Sequence, residues 1–186
     1  MAQHNTQPQR SRQHNTRNTF TIWQWNCRGY RRKGGHLQQF LRNRERPDLI
    51  LLQETNDAVK LAGYKAIYEA VTTGATPAAA ALVGRNLNVV QQELQNFSIP
   101  HVLIELIPTK GRGPGLFVLN VYSRPKAKHR FTTLLRKACE AAGDGPLVIA
   151  GGFNAPHAAW GYGYETLKGV RLTSVSPESA ASSNNR

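Results

Sequence analysis

Apolar runs along this 186-residue chain end in polar residues of a consistent kind. The first ends in Trp25-Asn26-Cys27-Arg28-Gly29. The run after Asp48 ends in Gln53-Glu54-Thr55. Leu116–Tyr122 contains Asn120 and leads into Ser123, and Pro146–Ala150 runs into Gly151-Gly152-Phe153-Asn154-Ala155-Pro156-His157. Amides, a carboxylate, a phenol and an imidazole gathered at one rim would make a polar cleft, and loops at strand ends are where binding groups usually lie. Glu54 is the candidate metal ligand, because an acid closing an apolar strand is unfavourable unless it is paired or bound to a cation. One carboxylate with amide oxygens and water suits Mg²⁺, which takes few protein ligands. A loop cap, with the Glu54 carboxylate accepting from backbone amides, accounts for the same acid equally well.

These residues need elements to hold them. Phe20–Asn26 alternates around Ile22, Trp23 and Trp25 and reads as a strand, with both indoles facing a core. His36–Arg46 has Leu37, Phe40 and Leu41 at helical spacing, with Gly34-Gly35 before it and Pro47 after it. Asp48–Gln53 is a continuous apolar run, as expected of a strand buried on both faces. Tyr64–Ala70 and Ala79–Val83 are further strands, the second small enough for close packing between layers. Leu87–Val90 pairs with it in this reading, through the turn Gly84-Arg85-Asn86. His101–Ile107 and Leu116–Tyr122 form a hairpin around the long loop Pro108–Gly115. Arg130–Ala142 places Phe131, Leu134, Leu135 and Ala138 on one helical face, and Pro146–Ala150 is the last strand. Hairpins mixed with helix crossovers imply an α+β fold, a mixed sheet or a pair of sheets covered by helices.

Residues 1–19 and 173–186 are polar, without hydrophobic rhythm, and read as disordered tails around one domain at 20–172. Twenty-four Lys and Arg against eleven Asp and Glu give a net charge of +13, which points to a polyanionic partner. The cations cluster beside the candidate site residues. Arg28, Arg31, Arg32 and Lys33 follow Asn26, and Arg124, Lys126, Lys128 and Arg130 follow Tyr122, with no acid between Glu105 and Glu140. Both groups are placed to grip backbone phosphates. No apolar run approaches the roughly 18 residues of a membrane span. Cys27 and Cys139 match no metal spacing and fit a reduced, intracellular setting, nuclear or cytoplasmic. Cys27 reads as a small buried hydrophobe rather than a nucleophile.

Together WNCRG, LLQET, LNVYSRP and AGGFNAPHAAWG resemble, in order and style, the endonuclease/exonuclease/phosphatase superfamily. They are most similar to the apurinic-endonuclease-like domain of LINE-type non-LTR retrotransposons. The resemblance runs from about Phe20 to Leu172. It implies two packed mixed β-sheets flanked by helices, the deoxyribonuclease I-like four-layer sandwich, and Mg²⁺- or Mn²⁺-dependent hydrolysis of DNA phosphodiesters by a monomer. It implies that Asn26 shapes the metal and phosphate site, that Glu54 binds the metal, that Tyr122 contacts the scissile phosphate and that Asn154 binds phosphate or water. It gives His157 no catalytic role. Two departures stand out. Gly152 occupies the place of the Asp credited with orienting the attacking water, and glycine has no acceptor. Nothing after Asn154 matches the family's Ser-Asp-His-like segment or its last strands, so the chain is expected to be C-terminally truncated.

Two functional classes follow. One is an endonuclease of retrotransposon type, weak or inactive because of Gly152. The alternative is a non-catalytic nucleic-acid-binding remnant. A phosphatase of the same superfamily fits the FNAPH loop and the charge less well.

Overall fold

The computed structural model describes residues 19–69, 75–94, 98–108, 113–125 and 131–174. Residues 1–18 and 175–186 of the expected tails, and the cations Lys126, Lys128 and Arg130, lie outside the described residues. Eight strands are described: β1 (Ile22–Asn26), β2 (Leu49–Gln53), β3 (Tyr64–Tyr68), β4 (Ala79–Gly84), β5 (Val89–Gln92), β6 (His101–Leu106), β7 (Leu116–Tyr122) and β8 (Leu147–Gly152). Helices α1 (Gly34–Phe40), α2 (Phe131–Ala142) and α3 (Leu167–Thr173) and a 3-10 turn at Ala158–Trp160 accompany them. The strands form two four-stranded sheets, ordered β1-β2-β4-β3 and β5-β6-β7-β8. Both sheets are mixed: β1 runs parallel to β2 and β7 to β8, and the other pairs are antiparallel.

The period-2 alternation of side chains divides the core into three apolar layers. Leu49, Leu51, Ala79, Ala81 and Val83 of the first sheet meet Val102, Ile104 and Val118 of the second. Ile50, Leu52, Ala80 and Leu82 face outward, under Leu37 and Leu41. Leu103, Phe117, Leu119 and Val121 face outward on the other side, under Phe131, Leu134, Leu135 and Ala138 of α2. Strands β2 and β4 are buried along their whole length, which explains their unbroken apolar sequence. The expected two-sheet sandwich flanked by helices is therefore the fold.

Local differences have physical reasons. Leu87–Val90 does not pair with β4. The chain leaves the first sheet after Gly84, and Val89 registers against Leu106 in the second. Helix α1 stops at Phe40 rather than Arg46. Beyond it Arg42 N–H bonds to Gln39 O at 3.1 Å, a tighter closing turn. The following residues approach Pro47, which disfavours helix before it. Trp23 and Trp25 are only half-buried against the outer cluster. Among the described residues, no helix is long and apolar enough to cross a membrane.

Candidate active site

The sheet topology sets which strand ends meet. In the first sheet β1, β2 and β3 end, and β4 begins, at one rim. In the second sheet β7 and β8 end, and β6 begins, at one rim. Gln53 Nε2 at the end of β2 donates to Asn120 Oδ1 of β7 at 2.6 Å, a bond that joins the two rims. Glu54 Oε1 accepts from Asn26 Nδ2 at 2.8 Å. The Tyr122 phenol, from the other sheet, lies near enough to the same carboxylate to feel its charge. Burial first, then the neighbouring Glu54 carboxylate, push the Tyr122 phenol up, while Arg124 opposes them. Tyr122 is thus a donor at any physiological pH. The structure brings Asn26, Glu54 and Tyr122 together, with the Glu54 carboxylate accepting from the Asn26 side chain.

Local backbone geometry aims these groups. Glu54 and Asn154 leave their strands in the left-handed region, with φ of 54° and 48°. Non-glycine residues there carry strain of about 1–3 kcal/mol, and such strain clusters at functional sites. The turn at Glu54 breaks the strand alternation, so that Thr55 tucks into the interior with its N–H on Ala78 O at 3.4 Å. Gly151 has φ 148°, and a Cβ there would sit 1.9 Å from Val121 O, so only glycine lets β8 close on β7. Asn154 Nδ2 donates to Ser123 O at 2.7 Å, which ties the β8 exit to the residue after Tyr122.

Residues 23–174 match the model of the Endonuclease/Exonuclease/phosphatase family. The chain belongs to that family. The endonuclease domain of TRAS1, a telomere-specific non-LTR retrotransposon, shares the fold. Its TM-score is 0.66 at 16% identity, over 84% of this chain and 69% of that one. ANGEL2, a 2',3'-cyclic phosphatase, gives a TM-score of 0.47 at 16% identity, over 73% of this chain and 53% of that one. No curated protein matches the chain in sequence.

Within this family member, Gly152 stands inside the rim. A Cβ built there would meet Tyr122 Cδ2 at 3.5 Å, Asn26 Nδ2 at 3.8 Å and Gln53 Cγ at 3.9 Å. Those are ordinary contacts, so the position tolerates a side chain and supplies none. Among the described residues no three His, Cys, Asp or Glu are grouped to hold a metal. The oxygen donors at the rim are the Glu54 carboxylate and the Asn26 amide oxygen, which accepts from Arg28 N–H at 3.3 Å. That hard, oxygen-only set fits a cation that keeps most of its water.

The cations divide by geometry. Arg28, Arg31, Arg32 and Arg124 are exposed. Lys33 instead turns inward and donates to Cys27 O at 2.7 Å, which fastens the loop after β1. Cys27 is fully buried, and burial raises its thiol pKa, as expected of a structural cysteine.

His157 and Glu69 carry roles that the sequence left open. His157 Nδ1 accepts from Ala159 N–H at 3.0 Å, capping the 3-10 turn. Its Nε2 lies 3.2 Å from Glu165 Oε1. Trp160 Nε1 donates to Ala155 O at 2.9 Å, so the indole packs the same loop. Glu69, just past β3, accepts from the backbone N–H groups of Ala78 and Ala79 and has Arg124 and the His101 backbone beside it. An acid closing a strand is the signal that singled out Glu54, and it was present at Glu69 too.

Proposed function

We propose that this chain binds nucleic-acid backbone phosphate at the rim between the two sheets and hydrolyses DNA phosphodiesters there weakly. The observation that carries this reading is Glu54, bonded by Asn26 from its own sheet and faced by the Tyr122 phenol from the other. Three groups of the family's motif types meet at one point that neither sheet builds alone. Asn26 and Tyr122 supply an amide and a phenolic donor suited to phosphate oxygens. Asn154 stands on the adjoining strand exit, and Arg28, Arg31, Arg32 and Arg124 surround the rim with exposed positive charge. Glu54 and the Asn26 oxygen would hold Mg²⁺ or Mn²⁺, which when bound neutralises phosphate charge and stabilises the leaving oxygen. Likeness in fold to a retrotransposon endonuclease domain supports DNA as the substrate.

The weakness follows from Gly152. With no acceptor there, nothing at that position orients the attacking water or takes its proton, a contribution worth about 10²–10⁴ in rate. The same observation favours the second reading, a domain that binds nucleic acid without cleaving it.

One experiment separates the two readings. The purified chain is incubated with supercoiled plasmid in Mg²⁺, and DNA affinity is measured across salt concentrations. The expected result is affinity that falls steeply with salt, with slow nicking that Glu54→Ala abolishes. Binding without nicking, or with only a background nicking that Glu54→Ala leaves unchanged, supports the non-catalytic reading. DNA affinity indifferent to salt overturns both.

A further inference from the structure

Gln53 is fully buried at the end of β2, next to Glu54. Its amide orientation is dictated by its neighbours. Asn120 Nδ2 donates to Leu52 O at 2.9 Å and to Ala80 O at 3.0 Å, which turns the Asn120 oxygen towards Gln53. Gln53 Nε2 donates to that oxygen at 2.6 Å. Gln53 Oε1 is left buried without a hydrogen-bond partner among the described residues. Buried polar atoms are paired as a rule, and an orphan signals an ordered water or an ion.

The space beside this side chain is the one Gly152 opens. Its walls are Tyr122, Asn26 and Gln53, at 3.5, 3.8 and 3.9 Å from where a Cβ would be. A Cβ there would make only ordinary contacts, so the notch has room for a methyl-sized group beside the Asn26 amide nitrogen and the Gln53 side chain. Asn26 Nδ2 has two hydrogens, and one goes to Glu54 Oε1. The other is available to a molecule in the notch. A buried water needs at least two polar partners, and Gln53 Oε1 and Asn26 Nδ2 are an acceptor and a donor.

We infer that the Gly152 notch is a built water site, in which one ordered water donates to Gln53 Oε1 and accepts from Asn26 Nδ2. Gln53 is then a positioning residue of the rim, acting through that water. The second hydrogen of the water is directed to a phosphate oxygen of the bound backbone, a step that rests on the functional reading above. An amide oxygen is not basic, so this water binds phosphate and is not activated for attack. The site thus takes a phosphodiester through a water-mediated contact at a position that offers no side chain of its own.

The test reads hydration without DNA. Water-to-protein NOEs are measured for the Gly152 amide and the Gln53 side-chain amide in the wild-type chain, Gly152→Ala and Gly152→Ser. Expected are cross-peaks from a long-lived water in the wild type that vanish in Gly152→Ala, whose methyl fills the notch. Gly152→Ser, whose hydroxyl can donate to Gln53 Oε1, is expected to melt above Gly152→Ala. Absence of the wild-type cross-peaks, their persistence in Gly152→Ala, or the reverse melting order overturns the inference. DNA binding is measured separately on the same three proteins, with affinity expected to fall about three- to tenfold in Gly152→Ala and to be retained in Gly152→Ser. Equal affinity of the wild type and Gly152→Ala overturns the water's phosphate contact. Failure of the wild type to bind DNA overturns the functional reading and leaves the hydration result standing.

Discussion

At the scale of single residues, Glu54 and Gly152 decide the chemistry between them. Glu54 accepts from Asn26 of its own sheet and faces the Tyr122 phenol of the other, and Gly152 leaves the place beside them without a charged group. A second carboxylate introduced at 152 would lie within reach of Asn26 but close to the Glu54 charge and the Gln53 oxygen. Two nearby carboxylates repel unless a proton or a cation joins them. Gly152→Asp is therefore expected to melt about 2–4 °C below wild type in chelator, the equivalent of roughly 1 kcal/mol for a chain of this size. Millimolar Mg²⁺ should restore or exceed the wild-type value, and adding Glu54→Gln should remove the metal response. Thermal melts with and without Mg²⁺ read this directly, and a variant indifferent to metal would place position 152 outside any cation site. The positions of Asn26, Glu54, Tyr122 and Asn154 at strand ends were legible in the sequence because each follows an apolar run. The partner of Glu54 was not. Choosing between a loop cap and a side-chain cluster needs the register of β7 against β8 and the stacking of two sheets, neither of which local spacing encodes.

At the scale of elements, the segment after β8 shows how a motif without evident chemistry can still shape a site. His157 caps the 3-10 turn through Nδ1, which fixes the hydrogen on Nε2, towards Glu165. Thr166 N–H bonds to Pro156 O at 3.0 Å, and Thr166 caps α3 through Gly169 N–H at 3.1 Å. Gly169 itself lies so close to Pro156 O that a Cβ would come within 2.2 Å. These ties hold α3 and the loop against the strand exit that carries Asn154. His157→Ala removes the cap and is expected to destabilise the chain by about 1 kcal/mol, the usual worth of such a bond. His157→Asn, which can accept from the same N–H, should recover more than half of that. Urea denaturation midpoints of the three proteins give the comparison, and an Asn variant no better than Ala would assign the effect to Glu165 or to ring packing instead. Helix α2 was legible because its apolar face repeats at helical spacing over three turns. The partner of β5 was misread because a glycine turn after β4 looks the same whether the chain folds back or crosses to the second sheet.

At the scale of the whole molecule, two sheets must hold a fixed relation for the rim to exist, and Glu69 lies on the seam. It accepts from Ala78 and Ala79 at the start of β4 and is flanked by the His101 backbone and Arg124 of the other sheet. Burial raises its carboxyl pKa above the ordinary value, against the opposing pull of those amides and of Arg124. The sign of the consequence is fixed by linkage. A carboxyl whose folded pKa exceeds its unfolded one keeps its proton longer in the native state. Stability from this group is then greatest at low pH and falls as pH rises from the unfolded carboxyl value, about 4.3, through the raised folded one. Glu69→Gln keeps an acceptor for the Ala78 and Ala79 N–H groups and carries no charge to bury. The difference in melting temperature between Glu69→Gln and wild type should therefore shift in favour of the variant between pH 4 and pH 7. Calorimetric scans of both proteins across that range measure it. A shift in favour of wild type would mean that the amides and Arg124 outweigh burial, and that the charged carboxylate strengthens the seam between the sheets.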